Sequence, residues 1–453
     1  MDKFYKHNKT KHGAASVFLA IIMSAVIFIE CTFVIFVWNL DYALSVNTAL
    51  KSQVDTILCD YNRLLFDVYG IYAFTLDGVD DYCFRKALEI NGLESKAEVY
   101  ITDSSKFTTE DLRKAINSYY WYRGSGIAFK KLVEGYADLI REIDEKGYLN
   151  KIGQFMQSPA AEYVSKLIKG SDSASDWIEK AGDLLNAGDL IKEAADIDSL
   201  MDDYKDSVKD LEFDIDIDIA EWNGLLSTLT RLENAFDVVS DSPDALAEKC
   251  FISHYCAYNF DCCISPKGDA SINGTDFKSI HGSKRADSEY MITGLGDYPA
   301  SLEVSVLIVH VLIVANILKD YANEEIRNTI SVIAEVISAI ILAVSEGTVD
   351  IDPRLIAAGI TLYVAMVQSI NDYLCIARGE RAVIFEYDNT RIVTYSYRDF
   401  LYLFCLCTKE DKLIERCYEV IERDFGDLYK GISLEAVYKS QTYSVTKSYQ
   451  LYE

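Results

Sequence analysis

The clearest pattern in the chain is an almost unbroken apolar run over residues 14–40, directly behind a tail that carries four lysines. An α-helix rises 1.5 Å per residue, so about 20 apolar residues cross the hydrocarbon core of a bilayer. The run is longer than that. Trp38 lies near its end, at the membrane border where amphipathic rings are enriched. The pattern predicts a transmembrane helix over 14–40 that anchors the chain in a lipid bilayer.

Charges on the two sides of this run predict its orientation. Residues 1–13 are basic, and Asp41 follows the run directly. Because Lys and Arg favour the cytoplasmic side, we expect a cytoplasmic tail and an extracellular domain from Asp41 onward, in a single-pass cell-membrane protein. A cleaved signal peptide is the alternative reading. Its apolar region would span only about 7–15 residues and end in small residues, whereas this run continues into Trp38.

A helical pattern continues beyond the membrane segment. From Leu50 to Val68 the apolar residues recur in alternating steps of four and three, and Gly70 is a natural terminator. We therefore expect one helix over 14–68, about 80 Å long, half in lipid and half against the domain outside. Residues 41–104 are predicted to contain this extension and a small α+β patch.

The remaining sequence predicts a helix-rich ectodomain with few strands. Successive amphipathic segments over 105–250 indicate a helical lobe, in which residues 213–221 alternate acid with apolar side chains as a strand does. Residues 251–288 are expected to form a Cys-containing segment and a polar loop. Residues 289–453 should contain apolar helices, a hairpin over 382–395, and a C-terminal helix followed by a polar, Tyr-rich tail.

Three apolar helices are expected near 300–319, 324–346 and 353–376, and they raise the question of further membrane spans. His310 lies in the first and Glu335 in the second, and ionisable side chains are costly inside a bilayer. None of the three offers 18 consecutive apolar residues. We therefore favour buried helices of the ectodomain.

Composition agrees with a folded, acidic and mainly helical domain. Half of the 453 residues are hydrophobic and only five are prolines, which favours helices over a proline-punctuated β architecture. The formal net charge is −27, and an acidic surface repels phosphate, so no nucleic-acid partner is expected. The predicted fold class is mainly α with a minor α+β part: a long N-terminal transmembrane helix continues into a helix-rich ectodomain with short β-strands.

One short stretch holds the best metal candidate of the sequence: Cys250, His254, Cys256 and Cys262. The spacing does not match the paired CxxC pattern of zinc sites, so we interpret these cysteines as buried thiols or disulfides. We predict no metal and no cofactor.

Signatures of catalysis are missing from the sequence. It has no GxSxG, HExxH or GxxxxGK[ST] motif, so no catalytic residue is predicted and the protein is not expected to be an enzyme. The alternative is a membrane-tethered enzyme that acts on cell-wall polymers through a pair of carboxylates, which the 71 Asp and Glu residues could supply.

Three separated motifs carry a resemblance to a known family. They are Tyr61-Asn62-Arg63-Leu64-Leu65 with the following Tyr69–Phe74, Glu289-Tyr290-Met291-Ile292 with Gly294, and Tyr397-Arg398-Asp399-Phe400-Leu401. With these motifs the chain resembles uncharacterised exported proteins of Gram-positive anaerobes, which look like relatives of the TadE and TadG minor pseudopilins of Tad-type pilus clusters. The resemblance implies a surface-exposed structural or assembly component of a Tad-type pilus or secretion system, with pilin-like subunits or pilus assembly proteins as partners.

The resemblance also directs attention to the membrane segment. Pseudopilins of this type are processed after a glycine, which would place cleavage between Gly13 and Ala14. They carry a glutamate five residues after that glycine, where this chain has Phe18. Glu30 lies deep in the apolar run, where a charge costs at least about 2.5–3.5 kcal/mol. We expect Glu30 to lie at an interface with another helix.

Overall fold

The computed structural model is mainly α-helical, with a few short antiparallel strands and a long apolar N-terminal helix, which confirms the predicted fold class. The structure describes residues 3–77, 79–93, 98–123, 154, 243–265, 285–344, 351–387, 391–438 and 440–449. Most of the predicted helical lobe over 105–250, including 213–221, lies outside the described residues, as does most of the polar loop before residue 288. The chain divides into two compact units: unit 1 is residues 1–111 with 422–453, and unit 2 is residues 112–421.

The described elements follow one another in a simple order. They are α1 (Lys3–Cys59), α2 (Arg63–Tyr69), α3 (Tyr82–Ile90), β1 (Glu98–Lys106), α4 (Thr109–Arg123), α5 (Pro243–Tyr258), α6 (Asp287–Thr293), α7 (Asp297–Ala322), α8 (Glu324–Val344), α9 (Pro353–Ala377), β2 (Ala382–Tyr387), β3 (Arg391–Tyr395), α10 (Tyr397–Cys407), α11 (Glu410–Phe425), β4 (Tyr429–Tyr438) and β5 (Gln441–Ser448).

The two halves of α1 have opposite surroundings. The helix has 57 residues and is about 85 Å long. Its side chains from Ser16 to Asp41 are all exposed. Beyond that point Val46, Leu50 and Val54 are fully buried, in a cluster that joins α1 to α3 and to the strands β4 and β5. The same continuous helix therefore has an exposed apolar first half and a second half that is part of the core of unit 1.

The predicted single helix over 14–68 is wrong at its end, because α1 stops at Cys59. Asn62 has an extended backbone and begins α2, and its Oδ1 accepts a hydrogen bond from the Leu65 backbone N–H at 3.1 Å. An asparagine cap satisfies a free N–H at a helix start, so it favours a new helix over continuation of the old one. Gly70 ends α2 as predicted, with a left-handed φ of 69° and its N–H bonded to the Phe66 carbonyl.

Unit 1 closes around a three-stranded antiparallel sheet in the order β1-β4-β5. On β4 the buried residues Ile432, Leu434, Ala436 and Tyr438 alternate with more exposed ones, so one face of the strand packs into the core. The polar, Tyr-rich tail predicted after the C-terminal helix is therefore wrong: it forms β4 and β5. The period-two alternation on β4 is the signal that identifies the strand.

Unit 2 contains the apolar helices at almost the predicted positions, as α7, α8 and α9. The strands β2 and β3 pair antiparallel, which confirms the hairpin. The predicted C-terminal helix near 397–424 consists of two helices, α10 and α11. They separate at Thr408, whose backbone is extended and whose N–H bonds the Cys405 carbonyl.

Polar side chains join α7 to α9 inside unit 2. The buried Asn316 amide donates to Ser369 Oγ and to Asp372 Oδ2, each at 3.0 Å. Gln368 donates to Asp320 Oδ1 at 3.2 Å. These bonds fix the register of two otherwise apolar helices, because a buried polar group without a partner costs free energy.

Among the helices that the structure describes, three are long and apolar enough to cross a membrane: α1, α7 and α9. Their most apolar windows have mean hydropathies of 2.6, 2.1 and 1.3, and 0%, 56% and 47% of these windows are buried inside the structure. By length and composition all three helices could span a membrane. By burial α1 differs from α7 and α9, because its apolar window is fully exposed and about half of each of theirs is covered. This difference agrees with an N-terminal membrane anchor.

Candidate functional site

Two of the three family-like motifs meet in the interior of unit 2. Glu289 lies on α6 and Tyr397 is the first residue of α10; neither side chain has any exposed surface. The Tyr397 hydroxyl donates to Glu289 Oε1 at 2.8 Å, and the Cys263 backbone N–H donates to the same oxygen at 2.7 Å. Residues that lie 108 positions apart in the sequence thus share one hydrogen bond.

The start of α10 determines where its side chains point. Ser396 is the N-cap, and Asp399 Oδ2 accepts hydrogen bonds from the Ser396 backbone N–H and hydroxyl, each at 2.7 Å. This capping box satisfies donors that a helix start would otherwise leave free. Tyr397 and Arg398, between the two capping residues, are both buried.

Arg398 caps the end of α5 from inside. Its Nη1 donates to the carbonyls of Ala257 at 2.6 Å and Phe260 at 3.1 Å, and its guanidinium carbon lies 5.9 Å from the centre of the Tyr258 ring. The carbonyl end of a helix carries partial negative charge, so a cation there is stabilising. The buried charge of Arg398 is thereby matched to backbone oxygens and to an aromatic face.

Asp399 links this arrangement to the hairpin. It accepts a hydrogen bond from the Tyr258 hydroxyl at 2.8 Å and one from Arg381 Nη2 at 3.0 Å. Burial and the adjacent carboxylate raise the pKa of Tyr258 far above its usual value, so this hydroxyl remains a donor. We call Tyr258, Glu289, Tyr397, Arg398 and Asp399 the buried polar cluster.

The glycine of the second motif is required by backbone geometry. Gly294 ends α6 with a left-handed φ of 77°, and a Cβ there would lie 2.4 Å from Arg416 Nη2. Arg416 Nη1 in turn donates to the carbonyls of Met291 and Ile292, at 2.8 and 2.9 Å. This motif therefore forms the C-terminal end of α6, where Arg416 binds the last carbonyl groups.

His254, one of the four candidate metal ligands of the sequence, packs among aromatic rings. Its Nδ1 lies 2.7 Å from the Tyr120 hydroxyl, and its ring stacks on Tyr258 at 4.3 Å. Burial, with a contribution from Arg398, lowers the pKa of His254 to about 3, so the imidazole is neutral at physiological pH.

The structure does not bring the four candidate ligands together into one site. Cys250 interacts with Tyr402, and burial raises the pKa of its thiol. Cys256 contacts the thiol of Cys417, and Cys262 Sγ donates to the Ile264 carbonyl at 3.1 Å. Within the described residues, no group of three or more His, Cys, Asp or Glu side chains could hold a metal. All eleven cysteines are free thiols in the structure.

The predicted membrane residues lie on α1. Gly13 and Ala14 are part of its continuous helix. Glu30 is exposed on the bare half, whereas the nearby hydroxyls of Ser24 and Thr32 bond the carbonyls of Ile21 and Phe28, at 2.8 and 2.7 Å. The Glu30 carboxylate has no such bond among the described contacts.

The first motif serves the fold of unit 1. Asn62 caps α2, as described above, and its backbone N–H donates to the Ala73 carbonyl at 2.9 Å. The rings of Tyr61, Phe66 and Tyr72 pack together, with centroids 4.5–5.6 Å apart. This motif ties the end of α1 to the segment that follows α2.

Sequence reasoning missed Gln53, which closes a long-range contact in unit 1. Its amide donates to the Asp80 carbonyl at 2.8 Å and accepts from the Phe84 backbone N–H at 2.7 Å. Gln53 is a polar residue on the buried face of an amphipathic helix. That exception to the pattern is the signal that could have identified it.

Comparisons with known proteins identify no relative of this chain. No protein-family model matches the chain, and no curated protein or solved structure shows significant similarity to it. Arguments about function therefore rest on the chain itself: a bare apolar helix joined to a folded unit, and a buried polar cluster whose described hydrogen bonds go to its own members, to neighbouring side chains and to the backbone.

Proposed function

We propose that the protein is a membrane-anchored, surface-exposed, pseudopilin-like component of a Tad-type pilus or of its assembly machinery. The observation that carries the proposal is that the first half of α1 is exposed and apolar, whereas its second half is buried in unit 1. No described side chain covers its first half, and its second half is part of the core of unit 1. A helix of this kind transmits the position of its membrane segment directly to the folded unit. Helices that bundle in and above a membrane require such a connection.

The face of α1 that carries Glu30 is turned away from the core of unit 1. At 3.6 residues per turn, Thr48 lies five turns after Glu30 on the same face, and Leu44 lies close to that line. Thr48 is exposed and Leu44 is 67% exposed, whereas Leu50, on nearly the opposite face, is fully buried. The Glu30 face is thus the side of α1 on which another helix can pack without displacing unit 1.

A carboxyl group on that face has a physical reason to be there. Between helices in a membrane, a polar group can form a hydrogen bond across the contact, worth about 0.6–2 kcal/mol. An isolated ionisable group is costly in lipid. Glu30 therefore favours a partner helix that offers a donor or a cation, and a pilin-like subunit provides such a helix in the proposed assembly.

The alternative, a membrane-tethered enzyme that acts on cell-wall polymers, needs a pair of carboxylates open to substrate. The carboxylates of the buried polar cluster, Glu289 and Asp399, are enclosed and bond tyrosine and arginine side chains. This placement gives the enzyme alternative no support, and we retain the pilus proposal.

Substitution of Glu30 tests the proposal. In cells treated with a cross-linker, Glu30→Leu should reduce recovery of the protein in cross-linked complexes with pilin-like subunits several-fold, although the change makes the segment more apolar and easier to insert. Thr32→Val is the matched control, because Thr32 lies on nearly the opposite face and bonds its own helix. Wild-type intensity of every cross-link in Glu30→Leu would contradict an assembly role for this face.

A further inference from the structure

Glu289 is an unusual group in the interior of unit 2. Its side chain has no exposed surface, yet all of its described side-chain hydrogen bonds reach one oxygen, Oε1, from Cys263 N–H and Tyr397 hydroxyl. The second oxygen, Oε2, is buried and has no hydrogen-bond partner among the described residues. An ionised carboxylate prefers several donors, whereas a neutral carboxyl group needs fewer.

No described cation forms an ion pair with Glu289, although the charge of Arg398 has a small lowering effect on its pKa. The cation on α10, Arg398, directs its described hydrogen bonds to the carbonyls of Ala257 and Phe260. Arg285, on the segment before α6, lies 3.9 Å from Asp287 and so faces another carboxylate. Within the part of the chain that the structure describes, the ionised form of Glu289 therefore has no ion-pair partner.

The other titratable groups nearby are acids and thiols. On the segment after α5, Asp261 accepts backbone N–H bonds from Cys262 and Arg285, each at 2.9 Å, and Cys262 and Cys263 follow it. On α10 the neighbours are Tyr397 and the buried thiol of Cys405. None of these acids and thiols supplies positive charge. The neutral form of Glu289 is thus the form that the surroundings favour.

We propose that Glu289 is a proton-operated latch that holds α6, the segment after α5 and α10 together when protonated and loosens their contact when ionised. In the protonated form, Oε1 accepts its two hydrogen bonds without an uncompensated charge in the interior. When the proton passes to water, a negative charge remains in the interior, where no described side chain forms an ion pair with it. The strain is relieved by opening the contact with Tyr397 and admitting solvent.

The pH window follows from linkage. Burial raises the pKa of Glu289 from 4.5 to about 7, against smaller opposing effects of the Cys263 N–H, the Tyr397 hydroxyl, its own backbone N–H and the charge of Arg398. The closed state therefore binds the proton more tightly than an open, solvated state does. The ratio of closed to open should fall by up to tenfold per pH unit between these two pKa values, or about fortyfold from pH 5 to pH 7, and level off above.

Hydrogen exchange on the full-length protein in lipid nanodiscs tests the latch. After correction for intrinsic exchange rates, peptides that contain Cys263 and the first turn of α10 should open about fortyfold more often at pH 7 than at pH 5. Glu289→Gln, which has nearly the same shape and cannot ionise, should remove most of this dependence. The control Glu335→Gln changes an exposed acid on α8, and this variant should show the same pH dependence as the wild-type protein.

Two results would overturn the proposal: a pH dependence in Glu289→Gln equal to that of wild type, or no pH dependence in wild type. If Glu289→Gln fails to fold, carboxyl-carbon NMR of the wild-type protein with labelled glutamate decides the question. A buried glutamate that titrates near pH 7 supports the latch. If every glutamate titrates below pH 5, the latch is refuted.

Discussion

Replacing Leu50 by alanine tests whether the second half of α1 is part of the core of unit 1. Leu50 is fully buried in the cluster that joins α1 to α3 and to the sheet. Removing a buried leucine side chain costs the transfer free energy of the lost atoms and leaves a cavity, together about 2–5 kcal/mol. Leu44, six residues earlier on the same helix and on the face turned away from the core, is 67% exposed, and Leu44→Ala should cost less than about 0.5 kcal/mol.

Hydrogen exchange of β4 in the full-length protein measures this difference within unit 1. Because every 1.4 kcal/mol is a factor of ten, Leu50→Ala should increase opening of β4 at least about thirtyfold, while Leu44→Ala should leave it within about threefold. Equal effects of the two substitutions would refute the reasoning. They would mean that α1 beyond the membrane is not held by the sheet, and that it cannot transmit the position of the membrane segment to unit 1.

Two further predictions concern unit 2. Arg398→Met removes the donor to the last carbonyls of α5 and should lower the free energy of unfolding by about 1.5–3 kcal/mol, visible as a lower thermal midpoint, whereas the exposed Arg354→Met should not change it. Metal analysis of the purified protein should find clearly less than one equivalent of zinc, and a chelator should leave the midpoint unchanged, because within the described residues Cys250, His254 and Cys262 belong to no group that could hold a metal. Stoichiometric zinc whose removal destabilises the protein would contradict this.

Much of the fold follows from simple periodicities in the sequence. The apolar run predicts the exposed half of α1, and the long apolar segments predict α7, α8 and α9 within a few residues. The boundary at Cys59 was missed because the apolar pattern continues through it, and the local bond between Asn62 and Leu65 outweighs that pattern. The strands β4 and β5 were missed because their many Tyr, Ser and Thr residues resemble a polar tail unless the alternation is counted.

The buried polar cluster shows where sequence reasoning ends. The motifs around Glu289 and Tyr397 are visible in the sequence, but their contact depends on how α6 and α10 pack, and no local rule joins residues 108 positions apart. The partners of Arg398 could not be predicted either. They are backbone carbonyls at the end of α5, and because every residue has a carbonyl, the sequence does not identify which ones are bound. Proximity in the sequence likewise suggested a shared site for Cys250 and His254, which the packing does not form.

Protease treatment of intact protoplasts tests most directly the central claim that α1 is the membrane anchor and that the rest of the chain lies outside. With a tag at the C-terminus, the account predicts that external protease digests the mass beyond residue 41 and leaves a short protected N-terminal fragment that contains 14–40. A fully protected C-terminus would contradict the account. A second protected fragment covering 300–376 would show that α7 and α9 also cross the membrane.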